Sequence, residues 1–172
     1  MIRPATKEDL VRICEIYKSI HDAEEAGLTT TGWMRGIYPT SDTAENAIGR
    51  GDLFVLETDG VICAAAIINH KQDKEYADCD WQYPADDAEV MVLHTLVVDP
   101  KMKGRGFGSV FVKFYEEYSR EKGCKYLRMD TNSRNTKARR LYAKLGYEER
   151  GALHMDFNGI PNVVLICLEK KL

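Results

Sequence analysis

One junction constrains the fold more than any other part of the chain. From Val90 to Val98 the residues are almost continuously apolar, and the chain then turns through a segment in which Gly104, Gly106 and Gly108 alternate with Lys103, Arg105 and Phe107. Phe107, Val110, Phe111, Phe114 and Tyr118 follow at the spacing of one helix face, and Gly123 ends that run before a second apolar stretch, Tyr126 to Asp130. A strand that is apolar at every position must be covered on both faces. The junction therefore predicts a strand, a glycine-rich turn, an amphipathic helix and a second strand, with further elements packed above and below.

The rest of the chain supplies those elements. Thr6 and Asp9 have the form of a helix start, and Leu10, Ile13, Ile16, Tyr17 and Ile20 continue at helical spacing toward Ala26, where Gly27 can end the helix. Residues 27–52 read as irregular, with a short helix after Ser41. Leu53–Glu57 and Val61–Ile68, joined through Thr58, Asp59 and Gly60, predict a β-hairpin. Residues 70–88 form a long acidic loop containing Trp81, Tyr83 and Pro84, and long loops in compact domains commonly serve as lids or binding loops. After the second strand of the junction, a helix over about Arg134–Leu145 ends at Gly146, and two last strands flank Asn158 and Gly159. The order is mixed αβ, with a hairpin, a βαβα core and a closing strand pair.

No repeat or linker divides the 172 residues, so the whole span 1–172 reads as one domain. Lys and Arg number 24 against 27 Asp and Glu, a net charge of −3, which gives no reason to expect a nucleic-acid partner. Apolar runs are too short to span a bilayer, so no membrane partner is expected either. The five cysteines (14, 63, 79, 124 and 167) include no CxxC pair. Their odd number and the polar N-terminus point to a cytoplasmic protein with no metal site.

The glycine turn is suited to an anion. A helix start leaves backbone N–H groups unpaired and carries the positive end of the helix dipole, so phosphate is stabilised there. Glycines allow close approach, and Lys101, Lys103 and Arg105 add local positive charge. A diphosphate is the natural ligand. No GxxxxGK[ST] string occurs, which excludes a P-loop, and the third glycine of a GxGxxG fingerprint falls on Ser109. Asp130 does end the next strand where a ribose-binding acid would sit, so a nicotinamide-dinucleotide enzyme stays as a rival reading.

At these residues the chain resembles the GNAT N-acetyltransferase family. Lys103, Gly104, Arg105, Gly106, Phe107 and Gly108 match the family's [QR]-x-x-G-x-[GA] signature, with Lys at its first position. Asn135, Ala138, Leu141, Tyr142, Gly146 and Tyr147 match its downstream NxxAxxLYxxxGF segment, with Tyr as the last residue. The resemblance implies a three-layer α/β fold of mixed α+β type. Its central twisted sheet would be mostly antiparallel, with six to seven strands, one splayed strand pair and helices on both faces. It further implies acetyl-CoA as cosubstrate. Leu96, Val97 and Val98 would pair with the pantetheine arm, Lys103 to Ser109 would hold the pyrophosphate, and Asn135 and Tyr142 would lie beside the cofactor.

Acetyl transfer from a thioester to an amine needs a base for the ammonium proton and a proton donor for the departing sulfur. Tyr142 is the expected acid, since a phenol is a neutral donor at pH 7. Glu89, at the start of the central strand, and Asp130, at the end of its partner, resemble acidic positions used as bases in the family. His94 has a suitable unperturbed pKa of about 6.5, but an odd offset from Glu89 puts the two on opposite faces of one strand. Trp33, Met34, Tyr38, Pro39, Trp81 and Tyr83 are candidates for walls of an acceptor pocket. The carboxylates near Asp22, Glu24 and Glu25 and in residues 73–89 would favour a cationic acceptor. The expected activity is direct acetyl transfer to a primary amine on a small molecule or protein. A non-catalytic CoA-responsive module is the alternative from another class, and a homodimer through the terminal strands is compatible with either.

Overall fold

The computed structural model describes residues 1–172. In chain order the elements are β1 (Ile2–Pro4), α1 (Leu10–Glu25), α2 (Ser41–Arg50), β2 (Leu53–Thr58), β3 (Val61–Asn69), β4 (Val90–Val98), α3 (Phe107–Glu121), β5 (Tyr126–Asn132), α4 (Thr136–Lys144), β6 (Glu148–Phe157) and β7 (Ile160–Lys171). The strands form one sheet in the order β1-β2-β3-β4-β5-β7-β6, and only β4 and β5 run parallel. The single parallel pair is what the strand–helix–strand junction requires. A doubly wound dinucleotide-binding sheet would be largely parallel, so the rival reading loses its structural frame.

Helices cover both faces, as the alternation of side chains along each strand demands. On one face Phe111, Val112 and Tyr115 of α3 and Tyr142 of α4 pack on Phe54, Leu56, Met91, Leu93, Leu127 and Met129. On the other, Ile13, Ile16, Tyr17 and Ile20 of α1 and Ala44 and Ala47 of α2 pack on Leu53, Val55, Ala65, Ile67 and Val97. The helix start read at Thr6 is present, with the Thr6 N–H donating to Asp9 Oδ2 at 2.8 Å. No helix is long and apolar enough to cross a membrane.

Strand β4 is irregular in two respects. Its register with β5 runs from Val90 and Tyr126 to Leu93 and Met129 and then stops, although β4 continues beside β3 and β5 continues beside β7. In the same place Ile67 faces His94 and Ala65 faces Val97, so β4 carries one residue more than β3, and Thr95 sits at φ +51°. This is a β-bulge, which bends a strand and re-aims its side chains. The two strands therefore part at the bulge and leave a gap between them.

The acidic loop is tied down along its length. Arg128 and Glu169, both buried, pair at 3.2 Å. Arg128 also donates to the Tyr83 carbonyl at 2.8 Å and to Gln72 Oε1 at 2.7 Å, and its guanidinium lies 4.2 Å from the Trp81 ring centre. The Gln82 N–H donates to Glu169 Oε2 at 2.9 Å. Cys79 and Cys167, which the expectation of a reducing compartment leaves as free thiols, instead form a disulfide with Cα atoms 6.9 Å apart. Instead of a free flap, the loop is a packed cover over β4, β5 and β7.

Candidate active site

The gap between β4 and β5 opens into a cavity of about 500 Å³. Its walls come from the segment after α1 (Trp33, Ile37, Tyr38), from α2, from both splayed strands, from the β6–β7 hairpin and from α4. Glu24 folds the first of these segments into place, because its carboxylate accepts from the Thr31 N–H (2.8 Å), the Thr31 hydroxyl (2.9 Å) and the Gly32 N–H (3.0 Å). At Gly32, with φ +75°, a Cβ would fall 2.3 Å from Asn132 Nδ2, so this close approach requires glycine. Trp33, Tyr38 and Phe157 meet edge to face, with ring centres 5.8 and 5.4 Å apart, and form an aromatic wall.

Two titratable groups meet at the parting of the strands. Asp130 sits on β5 just beyond the last paired residue, and burial pushes its carboxyl up to about 6. The Tyr76 hydroxyl donates to its Oδ2 at 2.7 Å. Tyr142, on α4, reaches the same cavity, and burial, with the nearby Asp130 charge, pushes its phenol well above the usual tyrosine range. It is protonated throughout the neutral range. His94 also lines the cavity, is held below the usual histidine range by burial, and lies 3.2 Å from Asn69 Oδ1.

The positions read from the sequence divide sharply. Asp130, Tyr142, Leu96 and Asn135 come together at this cavity. Asn135 also caps α4, its Oδ1 accepting from the Ala138 N–H at 3.3 Å. Glu89 lies elsewhere. It precedes β4 at the end opposite the gap, and a 2.5 Å ion pair with Lys125 lowers its pKa. What separates it from His94 is therefore distance along the strand, in addition to face. Val97 is turned into the α1 and α2 core, and Val98 is half-buried beside the other.

At the glycine turn, Gly104 (φ +83°) and Gly106 (φ +77°) adopt left-handed backbone, with nothing within 4 Å of where a Cβ would stand. Arg105 and Lys103 lie exposed between and before them, and Phe107 begins α3. Gly108 has a different reason: its Cβ would stand 3.3 Å from Leu141 Cδ2, so it sets the approach of α4. Ser109 lies in the first turn of α3. The turn thus presents open backbone at a helix N-terminus beside the unpaired end of β4, a cradle that fits a diphosphate and an extended amide chain.

Of the proposed acceptor walls, Trp33 and Tyr38 line the cavity and Met34 and Pro39 do not. Trp81 packs on Arg128, and Tyr83 stacks on Tyr126 with ring centres 5.1 Å apart. The acids near α1 are already engaged, Asp22 and Glu25 by Arg35 at 2.6 and 2.8 Å and Glu24 as described. Among the loop acids Asp73 alone lines the cavity, together with the cations Arg50 and Lys71. Asp73 is among the acids read from the sequence, whereas sequence reasoning missed Thr95, which lines the cavity, and Tyr76, which contacts Asp130. Of these two only Thr95 left a signal, as half of the polar His94–Thr95 interruption in an apolar strand.

A sheet of this order, splayed at a bulge and flanked by a glycine cradle, defines an acetyltransferase architecture. The profile of the Acetyltransferase (GNAT) family matches residues 13–147, and the chain belongs to that family. It is 26% identical over 155 residues to an uncharacterized N-acetyltransferase of Methanocaldococcus jannaschii, covering 87% of this chain and 61% of that protein, so it spans less than two thirds of that relative. Among solved structures, a GNAT-family acetyltransferase from Streptococcus agalactiae superposes with a TM-score of 0.82 at 20% identity, over 100% of this chain and 95% of that one. The yncA protein of Salmonella typhimurium, solved with its cofactor acetyl-CoA, gives 0.71 at 20% identity, over 100% and 93%.

Proposed function

We propose that the chain is an acetyl-CoA-dependent N-acetyltransferase that moves an acetyl group directly to a primary amine, with Asp130 as base and Tyr142 as acid. One observation carries this reading. A carboxylate with a pKa of about 6 and a protonated phenol face one cavity where β4 and β5 part, and these are the two opposed proton tasks of amide formation.

When bound, acetyl-CoA supplies an acetyl group on a good leaving sulfur. Gly104 to Ser109 would hold its pyrophosphate through backbone N–H groups, with Lys103 and Arg105 adding charge, and the backbone of Leu96 to Val98 would pair with its amide chain. Asp130, ionised above about pH 6, takes a proton from the acceptor's ammonium so that the nitrogen lone pair can attack. As the new N–C bond forms and the C–S bond breaks, the Tyr142 hydroxyl would give its proton to the sulfur; the attacking nitrogen, which still carries two protons, would release one to water, and the Tyr142 phenolate would be reprotonated from the same solvent. No cysteine lines the cavity, which supports transfer without an acyl-enzyme. Acids and cations together line the acceptor side, so an amine carried on a zwitterionic or polar molecule suits it as well as a purely cationic one.

Parallel calorimetric titrations with CoA, acetyl-CoA and NADH test the reading, followed by thiol-release assays over an amine panel. Binding of both CoA species and turnover of an amine are expected. Binding without turnover on any amine would favour a CoA-responsive module, and an NADH response alone would overturn the cofactor.

A further inference from the structure

The segment between β3 and β4 reaches the reacting groups at one point. Within it, Lys74–Asp78 forms a 3-10 turn that buries Tyr76. Its ring packs on Trp81 with centres 5.3 Å apart, the Trp81 indole N–H donates to the Tyr76 carbonyl at 2.6 Å, and Trp81 rests on the Arg128 guanidinium. Arg128 lies on β5 two residues before Asp130, so the chain of contacts begins and ends on the same strand. A second tie runs through Cys79 and Cys167, and Cys167 is the cross-strand partner of Asp130. An exposed loop has no use for so many constraints on one phenol. Tyr76 is held on both sides, and its hydroxyl goes to Asp130 Oδ2.

We propose that Tyr76 is a positioning residue of the site, delivered by the tethered 70–88 segment to orient the Asp130 carboxylate and keep it ionised. The proposal rests on Asp130 being the base. A hydrogen bond given to a carboxylate favours its charged form, which opposes the effect of burial and of the facing Asp73. The other groups facing Asp130 are Tyr38 from the segment after α1, Tyr142 from α4 and His94 on β4; its β7 neighbour Cys167 is in the disulfide and does not titrate. Burial pushes Tyr38 up to about 12 and Tyr76 well above the usual tyrosine range, so these phenols stay protonated across the working range. His94 is held low by burial.

The test compares wild type with Tyr76→Phe by two readouts, the pH profile of kcat/KM and a carbon-13 NMR titration of the Asp130 carboxyl. Both should move up by about one pH unit, the scale of a lost hydrogen bond to a charged group. The rate should then fall about fivefold near pH 6 and recover above pH 8, a pattern that loss of packing alone does not produce. The acceptor's own titration is common to both proteins and cancels. A carboxyl that does not shift, with activity lost equally at every pH, overturns the proposal. A carboxyl that shifts while the rate profile stays put upholds the contact and removes Asp130 as base, so the two readings fail separately. Should Tyr76→Phe not fold, 3-fluorotyrosine at position 76 keeps the shape with a stronger donor and must move both readouts down; no movement overturns the proposal.

Discussion

Asp130 carries a thermodynamic cost along with the role proposed for it. Its folded-state pKa of about 6 exceeds the ordinary value of 3.8, so the folded protein holds this proton more tightly than the unfolded chain does. The stability associated with it is fully present below pH 3.8 and is lost as pH rises through about 6. Asp130→Asn removes that burden while leaving an oxygen for Tyr76. It should raise Tm at pH 7.5 by the equivalent of up to about 3 kcal/mol, and have little effect at pH 3.5, while kcat falls by about 100-fold or more. Melting curves at the two pH values check the sign. Tyr142→Phe should lower kcat about tenfold or more with CoA affinity unchanged, since the ring stays and only the proton donor goes. The sequence pointed to Asp130 and Tyr142 because one ends the apolar run Tyr126–Asp130, although β5 itself continues to Asn132, and the other sits inside a motif; both line the cavity. It did not point to Tyr76, because the partner of that residue lies across a fold contact that no local pattern encodes.

At the scale of elements, the glycine turn separates strain from charge. Gly106 has φ +77°, so any side chain there costs about 1 kcal/mol in backbone strain, yet the space around it is open. Gly106→Ala should therefore cost stability and weaken CoA binding only in part, since a single methyl enters the space the proposed diphosphate would approach. Gly106→Glu should cost the same stability and abolish measurable CoA binding by setting negative charge where the diphosphate is proposed to lie, and calorimetry on both variants distinguishes the two effects. The strand, turn and helix of this junction, the β2–β3 hairpin and α1 could all be read from periodicity, because each repeats one local preference over many residues. The β4 bulge could not. Nothing in the run from Val90 to Val98 specifies that β3 will be one residue short opposite Thr95. Likewise the 70–88 segment reads as an acidic loop, and only the tertiary partners Arg128 and Glu169 make it a fixed wall.

Across the whole molecule, the buried Arg128–Glu169 pair joins the loop, β5 and β7, and its removal should be felt globally. Arg128→Met leaves the buried Glu169 carboxylate with only the Gln82 N–H at 2.9 Å and the Arg150 guanidinium at 3.8 Å, a change expected to cost up to about 3–5 kcal/mol. For a chain of this length that corresponds to a Tm lower by about 10 °C, measurable by calorimetry. Replacing both partners, Arg128→Met with Glu169→Leu, should recover most of it. The order of the sheet has a consequence for biosynthesis. β7, the last strand of the sheet to be made, is inserted between β5 and β6 and is the sole neighbour of β5 beyond the gap. Until β7 has emerged from the ribosome, Asp130 has no strand beside it and the cavity lacks Val163 and Leu165. The site proposed above is therefore complete only once the sheet's final strand has been released.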